Sequence, residues 1–270
     1  MAIYSKETPE NLEQCLESLV IQTIPASEVV IVKDGILTDE LEKTLLVWQQ
    51  RLPIKVVGYQ ETNGLAYAMN YGIHYCNYEL IARMDSDDIC LKERFEIQIK
   101  YFNENPHVAL VSGYICEFKY NPGDIKSVRK VPLDHDKIVR YLKWRNAFNH
   151  MAVIFKKSVV LSVGGYNDNL TYFEDYDLWI RLVQAEYKVS NIPEILVNVR
   201  IGNNMIGRRH GLAYAKKELS FLTLQKKRGF ISSGEYCLLI LLRLPLRLIP
   251  QKLLYYLYQL LRVNRVTGIQ

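Results

Sequence analysis

The chain has 270 residues, 49% hydrophobic and 23% charged, with a formal net charge of +5. This balance is ordinary for a folded soluble protein, and the length fits one large domain, or a domain with an appendage, around a sizeable core. No run reaches the ~20 apolar residues a membrane-spanning helix needs, and the first residues lack a charged-then-apolar targeting pattern. The five cysteines lie far apart with no C-x-x-C pair, so neither a disulfide framework nor a zinc site is indicated; buried, reduced thiols in a cytosolic chain are expected.

The first 115 residues alternate two patterns. EVVIV (28–32), IKVVG (54–58), ELIARM (79–84) and VALVS (108–112) are short apolar runs of the buried-strand type. Between them, Leu12, Cys15, Leu16, Leu19 and Val20 follow helical spacing behind Thr8 and Pro9, an N-cap and a first helical residue. Leu41, Leu45, Trp48 and Leu52 repeat the spacing after Thr38, with Asp39 and Glu40 in the first turn. Leu65, Met69, Ile73 and Cys76 form a third stripe, and Phe95, Gln98, Ile99 and Phe102 a fourth. Strands alternating with helices predict a mostly parallel sheet covered on both faces, with ligands bound beyond the carboxyl ends of the strands. MAIY offers only a stub where such a fold opens on a full strand. Either the first strand is short or it begins upstream of Met1, and the second is the expectation.

From 120 to 200 the alternation loosens. A loop over 120–133, a helical segment over 134–145 and a strand at MAVIF (151–155) are predicted. Leu178, Leu182 and Val183 mark a helix that starts near Glu174 and Asp175.

Chemistry gathers at the ends of the predicted strands. ELIARM runs into Asp85, Asp87 and Asp88, and Asp34 closes VVIVKDG beside a glycine that permits a sharp turn. Carboxylates spaced in this way suit a hard cation such as Mg²⁺ or Mn²⁺, which binds one or two protein carboxylates together with substrate phosphates. A calcium EF-hand loop is rejected, because Ile89 and Cys90 occupy the positions where it needs a ligand and a glycine. A phosphatase-type aspartate nucleophile and a solvated turn, with Asp87 or Asp88 capping a helix over 91–104, remain open for the cluster taken alone. Asn63 and Gly64 open the third stripe, and Asn70 and Gly72 follow on it. Glu174 and Asp175 fall at a helix N-terminus, where the dipole stabilises charge and depresses a carboxylate's pKa.

Together, VIVKDG, NGLAYAMNYGI, ELIARMDSDD, NHMAVIFKKSVVLSVGGY and FEDYDLWIRL resemble a family 2 glycosyltransferase over roughly residues 1–200. The branch that is most similar builds bacterial capsular, exopolysaccharide and lipopolysaccharide sugars. The resemblance implies a GT-A fold, a nucleotide-diphosphate sugar donor, probed first as a UDP-sugar, a divalent metal, Mn²⁺ or Mg²⁺, and inversion at the anomeric carbon. It further implies that Asp34 hydrogen-bonds the donor's base, Asn63 and Arg83 line the base and diphosphate, and Asp85 holds the ribose or the metal shell. Asp87 resembles the metal ligand and Asp175 the catalytic base, with Glu174 beside it. Where the family often has DDGS this chain has KDGI, with Lys33 in place of the first acid, and the Q-x-x-R-W signature of processive synthases is absent. Addition of a single sugar is therefore expected. His150 sits where some relatives carry a functional histidine, and a buried structural role is the competing reading.

The end of the chain differs in character. Residues 200–270 hold thirteen lysines and arginines against Glu218 and Glu235, leaving the rest net acidic. Residues 234–263 mix leucine and tyrosine with Arg243, Arg247, Lys252 and Arg262. Two compatible expectations follow: an interfacial helix on an anionic membrane, broken by Pro245 and Pro250, and a helical hairpin packed on the domain. Residues 1–200 are expected as the catalytic domain and 201–270 as a basic amphipathic helical region, on a cytoplasmic protein peripheral to the inner membrane face. The expected acceptor is a saccharide or a lipid-linked saccharide. Nucleic acid is a poor fit to so leucine-rich a tail. Two rivals remain: a sugar-nucleotide nucleotidyltransferase, which needs a glycine-rich phosphate loop not found here, and a non-catalytic nucleotide-sugar-binding protein.

Overall fold

A computed structural model describes residues 1–201 and 209–249. Two sheets carry the fold. The first is parallel throughout, in the order β1 (Ala2–Ile3), β2 (Val29–Asp34), β3 (Ile54–Tyr59). The second is mixed, in the order β4 (Leu80–Ala82), β8 (Ile154–Lys156), β6 (Val108–Phe118), β9 (Lys188–Arg200), β5 (Ile89–Cys90), with β7 (Ile125–Arg129) pairing β6. Parallel pairing as expected thus organises the first sheet and the β6–β9 pair, whereas the remaining pairs of the second are antiparallel.

The helices begin where side chains satisfy their free amides. Thr8 accepts from Asn11 N ahead of α1 (Pro9–Val20), and Thr38 accepts from Leu41 N ahead of α2 (Asp39–Trp48). Then come α3 (Leu65–Tyr75), α4 (Arg94–Glu104), α5 (His135–Leu142), α6 (Lys157–Ser162), α7 (Glu174–Gln184), α8 (Leu212–Lys227) and α9 (Ser233–Leu248). A Cβ on Gly72 of α3 would stand 2.8 Å from Val32 Cγ2; the missing side chain lets α3 lie close on β2.

Strand residues divide between two buried clusters because successive side chains point to opposite faces. Val111 and Ile154 join Leu12, Leu16, Leu41 and Trp48 on one side; their neighbours Leu110 and Phe155 join Met69, Ile138 and Trp179 on the other. Phe221 of α8 and Leu239 of α9 belong to the second cluster, which docks the carboxy-terminal hairpin against α7.

Three expectations change. The segment 120–133 is not all loop, since β7 lies within it and pairs with β6. His150–Ala152 forms a 3-10 turn, so the strand expected at 151–155 starts only at Ile154. Pro245 does not break α9, which continues to Leu248; Pro250 and the remainder of the tail lie outside the described residues. Among the described residues, no helix is long and apolar enough to cross a membrane.

Candidate active site

Asp34 ends β2 and faces the turn that opens α3. Its Oδ1 accepts from Asn63 N at 2.7 Å and its Oδ2 from Gly64 N at 3.1 Å. The carboxylate therefore shapes the Asn63–Gly64 mouth and, with four acceptor positions, retains capacity for a further donor. Asn63 is exposed beside it.

Arg83, one residue beyond β4, is 4% exposed. It pairs with Asp85 at 2.5 Å, while its Nε and Nη1 are buried without a hydrogen-bond partner among the described residues. A buried guanidinium with unused donors is costly to maintain and suits an anion. A small cavity lined by Arg83, Tyr166, Met69 and Phe155 adjoins it.

The acids that follow occupy the loop between β4 and β5. Asp88 does not cap a helix: α4 begins at Arg94, and Asp88 Oδ1 accepts from Arg200 N at 2.9 Å. Its Oδ2 is buried with no partner among the described residues. Burial first, then the charges of Asp85 and Asp87, hold the Asp88 carboxyl well above the usual range. Asp87 is half-buried, and burial, Asp85 and Glu7 push its carboxyl up to about 6. Carboxylate oxygens crowded beyond what the local cations neutralise are a donor set that fits a hard divalent ion. Among the described residues no three acidic, histidine or cysteine side chains form a cage, so such an ion would complete its shell with substrate or water oxygens.

The amino end of α7 carries a second group of acids. Asp175 Oδ2 accepts from Asn146 Nδ2 at 2.7 Å, and its Oδ1 accepts from Tyr176 N at 2.7 Å. Glu174 Oε2 is buried without a partner among the described residues. The expectation that the helix N-terminus depresses both carboxyls is overturned. Burial raises Asp175 despite Asn146, and burial with the neighbouring Asp175 charge lifts Glu174 to about 7. Desolvation outweighs the dipole although both residues keep part of their surface exposed. The positive field of Arg83 reaches both acids as well as Asp85 and Asp88, which makes one electrostatic site of residues far apart in sequence. Asp34 and Asn63 form a separate rim at the end of β2. Asp177, the third acid of this turn, is structural: fully buried, it takes Arg181, Gln225 and Arg228.

His150 is buried and bonds the Tyr166 hydroxyl at 2.9 Å beside Trp179. Burial, then Arg83, holds its ring well below the usual histidine range, so it is neutral and orients Tyr166. Tyr166 itself escaped the sequence reading, as did Glu7, Asn146 and Arg200. Tyr166 is fixed by Asn70, whose amide bonds its backbone N and O at 2.7 and 2.8 Å. The one local signal is Gly164-Gly165, both at positive φ; a Cβ on Gly165 would meet Asn70 Oδ1 at 2.5 Å. Arg200, counted with the basic tail, instead packs on the acidic loop: it donates to Asp87 O at 3.2 Å and to Gln14 at 2.7 Å.

Two more tail cations are also reassigned. Arg243 and Arg247 pair with Glu218 of α8, which is fully buried.

Residues 1–160 match the family model described as glycosyl transferase family 2. The chain is 40% identical over 262 residues to the amylovoran biosynthesis glycosyltransferase AmsE of Erwinia amylovora, covering 96% of each chain. It is 36% identical over 259 residues to a UDP-Gal:alpha-D-GlcNAc-diphosphoundecaprenol beta-1,3-galactosyltransferase of Escherichia coli, covering 96% of this chain and 94% of that one. Among solved structures, the mannosyltransferase PcManGT of Pyrobaculum calidifontis, in complex with GDP-Man and Mn²⁺, superposes with a TM-score of 0.64 at 16% identity, covering 96% of this chain and 74% of that chain. That likeness shows the fold, which is GT-A.

Proposed function

The chain belongs to glycosyl transferase family 2, and on that premise we propose that it moves one sugar, with inversion, from a UDP-sugar to a lipid-diphosphate-linked saccharide. The observation that carries this reading is Arg83: a buried guanidinium with two unused donors whose charge acts on Asp85 and Asp88 and on Glu174 and Asp175. A nucleotidyltransferase or a pure binding protein has no need of the second acidic pair. The Escherichia coli relative, whose name specifies UDP-Gal, a diphosphoundecaprenol acceptor and a β-1,3 product, supports the donor and acceptor classes.

Each residue has a role in this reading. Asp34 and Asn63 hold the base end of the donor, and Arg83, fixed by Asp85, binds diphosphate oxygens through Nε and Nη1. Asp87, with Asp85 or Asp88 near it, would hold Mn²⁺ or Mg²⁺. When bound, the cation neutralises charge on the departing nucleoside diphosphate. Asp175, positioned by Asn146, takes the proton of the acceptor hydroxyl as that oxygen attacks the anomeric carbon. Direct displacement breaks the bond to the diphosphate as the new bond forms, so an α-linked donor yields a β-linked product. Residues 1–200 form the catalytic unit in this scheme. A lipid-linked acceptor sets the reaction at a membrane surface, on the cytoplasmic side where nucleotide sugars are made.

The test is a thermal-shift screen of UDP-, GDP- and TDP-sugars with Mn²⁺, followed by transfer to a diphosphate-linked N-acetylglucosamine acceptor. Stabilisation by UDP-sugars and a β-linked product are expected. Preference for GDP- or TDP-sugars, or an α-linked product from an α-linked donor, would overturn the donor or the mechanism respectively.

A further inference from the structure

The outer face of α9 is made of leucine. Leu238, Leu241, Leu242, Leu246 and Leu248 are 44% to 70% exposed, and Cys237 and Pro245 between them are exposed too. At ~100° per residue these positions sweep about half of the helix circumference, and none is charged. The arginines of α9 turn the other way, Arg243 and Arg247 meeting the buried Glu218. From Cys237 to Leu248 no charged residue interrupts this face, and an apolar face of this size on a surface helix marks an interaction site.

The charge of the two helices is mostly positive, and Glu235, in the first turn of α9, is paired with Lys143. Helix α8 exposes Lys216, Lys217, Lys226 and Lys227, while Glu218, its one acid, is buried. Lys226 lies over the ring of Tyr236 at the start of α9, at 4.9 Å. The sequence beyond α9, residues 250–270, adds Lys252, Arg262 and Arg265 and no acid. Two copies meeting through this face would bring these cations together. An anionic bilayer would attract them while its acyl boundary accepts the leucines.

We propose that the leucine face of α9 is a membrane-docking surface, lying in the plane of an anionic bilayer with its side chains below the headgroups and the α8 lysines above them. This rests on and deepens the reading of a lipid-linked acceptor, since docking would hold the site beside a substrate anchored in the same membrane. It differs from an arginine-driven anchor: the apolar face supplies the affinity, and the lysines supply the preference for anionic lipid.

The test is sedimentation of the full chain with vesicles of phosphatidylglycerol and phosphatidylethanolamine, without donor or acceptor. Leu241→Ser combined with Leu242→Ser is expected to lower partitioning on the order of 100-fold, from the transfer cost of two leucines. Melting temperature and transfer to a soluble acceptor should be unchanged. Leu238→Ser combined with Leu246→Ser, on the same face, should reproduce the loss. Variants that sediment like the parent would overturn the proposal, as would a parent that stays in the supernatant at low salt. A parent dimer that the same substitutions convert to monomer, seen by light scattering, would assign the face to a second copy instead. Vesicle binding without transfer to any lipid-linked saccharide would refute the acceptor reading and leave the docking surface standing.

Discussion

Asn146 donates a 2.7 Å hydrogen bond from Nδ2 to Oδ2 of Asp175, and its backbone carbonyl is in turn held by Arg129 at 3.0 Å. The bond favours the charged form of a carboxyl that burial otherwise pushes up. Asp175→Asn should therefore leave folding and donor affinity intact while transfer falls ~10²–10⁴-fold. Asn146→Ala should act more mildly: the Asp175 carboxyl rises further, and the ascending limb of the pH–rate profile moves to higher pH. Stopped assays across pH read both effects. Near-parental transfer by Asp175→Asn would pass the role of base to Glu174.

Glu174 makes pH dependence testable at two levels. Its carboxyl is raised to about 7 by burial and then by Asp175. With Asp175 as the base, Glu174→Gln should leave the ascending limb of the pH–rate profile in place, whereas stability should respond. The folded state prefers the protonated acid, so this group's contribution is complete below the unfolded carboxyl pKa of ~4.3 and is lost as pH rises through about 7. Glu174→Gln should flatten the melting-temperature profile between those limits. An unchanged slope would show that the group is solvated.

Burial first, then the charges of Asp85 and Glu7, raises Asp87 to about 6, and Arg200 offsets only part of this. Asp87→Ala should abolish the extra thermal stabilisation that Mn²⁺ gives to a UDP-sugar complex, and turnover with it. If the variant binds the donor in Mn²⁺ as tightly as the parent does, the cluster is no metal site.

Arg83 spends one arm on Asp85 and leaves Nε and Nη1 free for the donor. Arg83→Gln should weaken UDP-sugar binding by roughly 10–100-fold, the range for lost hydrogen bonds to a charged group. Calorimetric titration measures it, with tryptophan fluorescence and melting as controls for folding.

Glu218 ties the hairpin together, fully buried between Arg243 and Arg247. Glu218→Gln removes the buried charge that Arg243 and Arg247 share and should cost roughly 3 kcal/mol in chemical denaturation, the low end for a broken buried pair. A change below a tenth of that would mean both arginines reach solvent unaided.

Much of the first half of the chain was legible because local rules and global fold agree there. Thr8 and Thr38 cap the helices their positions announce, and the runs at 29–34 and 54–59 are strands flanked by amphipathic helices. The second half hides its longest strand, β9, because Pro193 sits inside it and argues locally against a central strand. The register of β6 against β9 absorbs that proline with a shift after Gly113. β7 is missed for another reason: Ile125–Arg129 is polar and half-exposed, and only its pairing with β6 makes it a strand.

At the candidate site, the carboxylates Asp34, Asp85, Asp87, Glu174 and Asp175 stand at strand and helix ends and are visible in one dimension, whereas Asn63 and Arg83 take their roles only from the family resemblance. The protonation of the acids was not visible. A helix N-terminus reads as charge-stabilising, yet burial raises Glu174 and Asp175 instead. The direction of the tail arginines was equally hidden. Composition makes residues 200–270 basic, but only the packing of α8 on α9 turns Arg243 and Arg247 inward to Glu218 and leaves leucine outside. Composition and periodicity record what a side chain is and which helical stripe it joins. Desolvation and pairing depend on what other parts of the chain bring within a few ångströms, and that is decided only when the chain has folded.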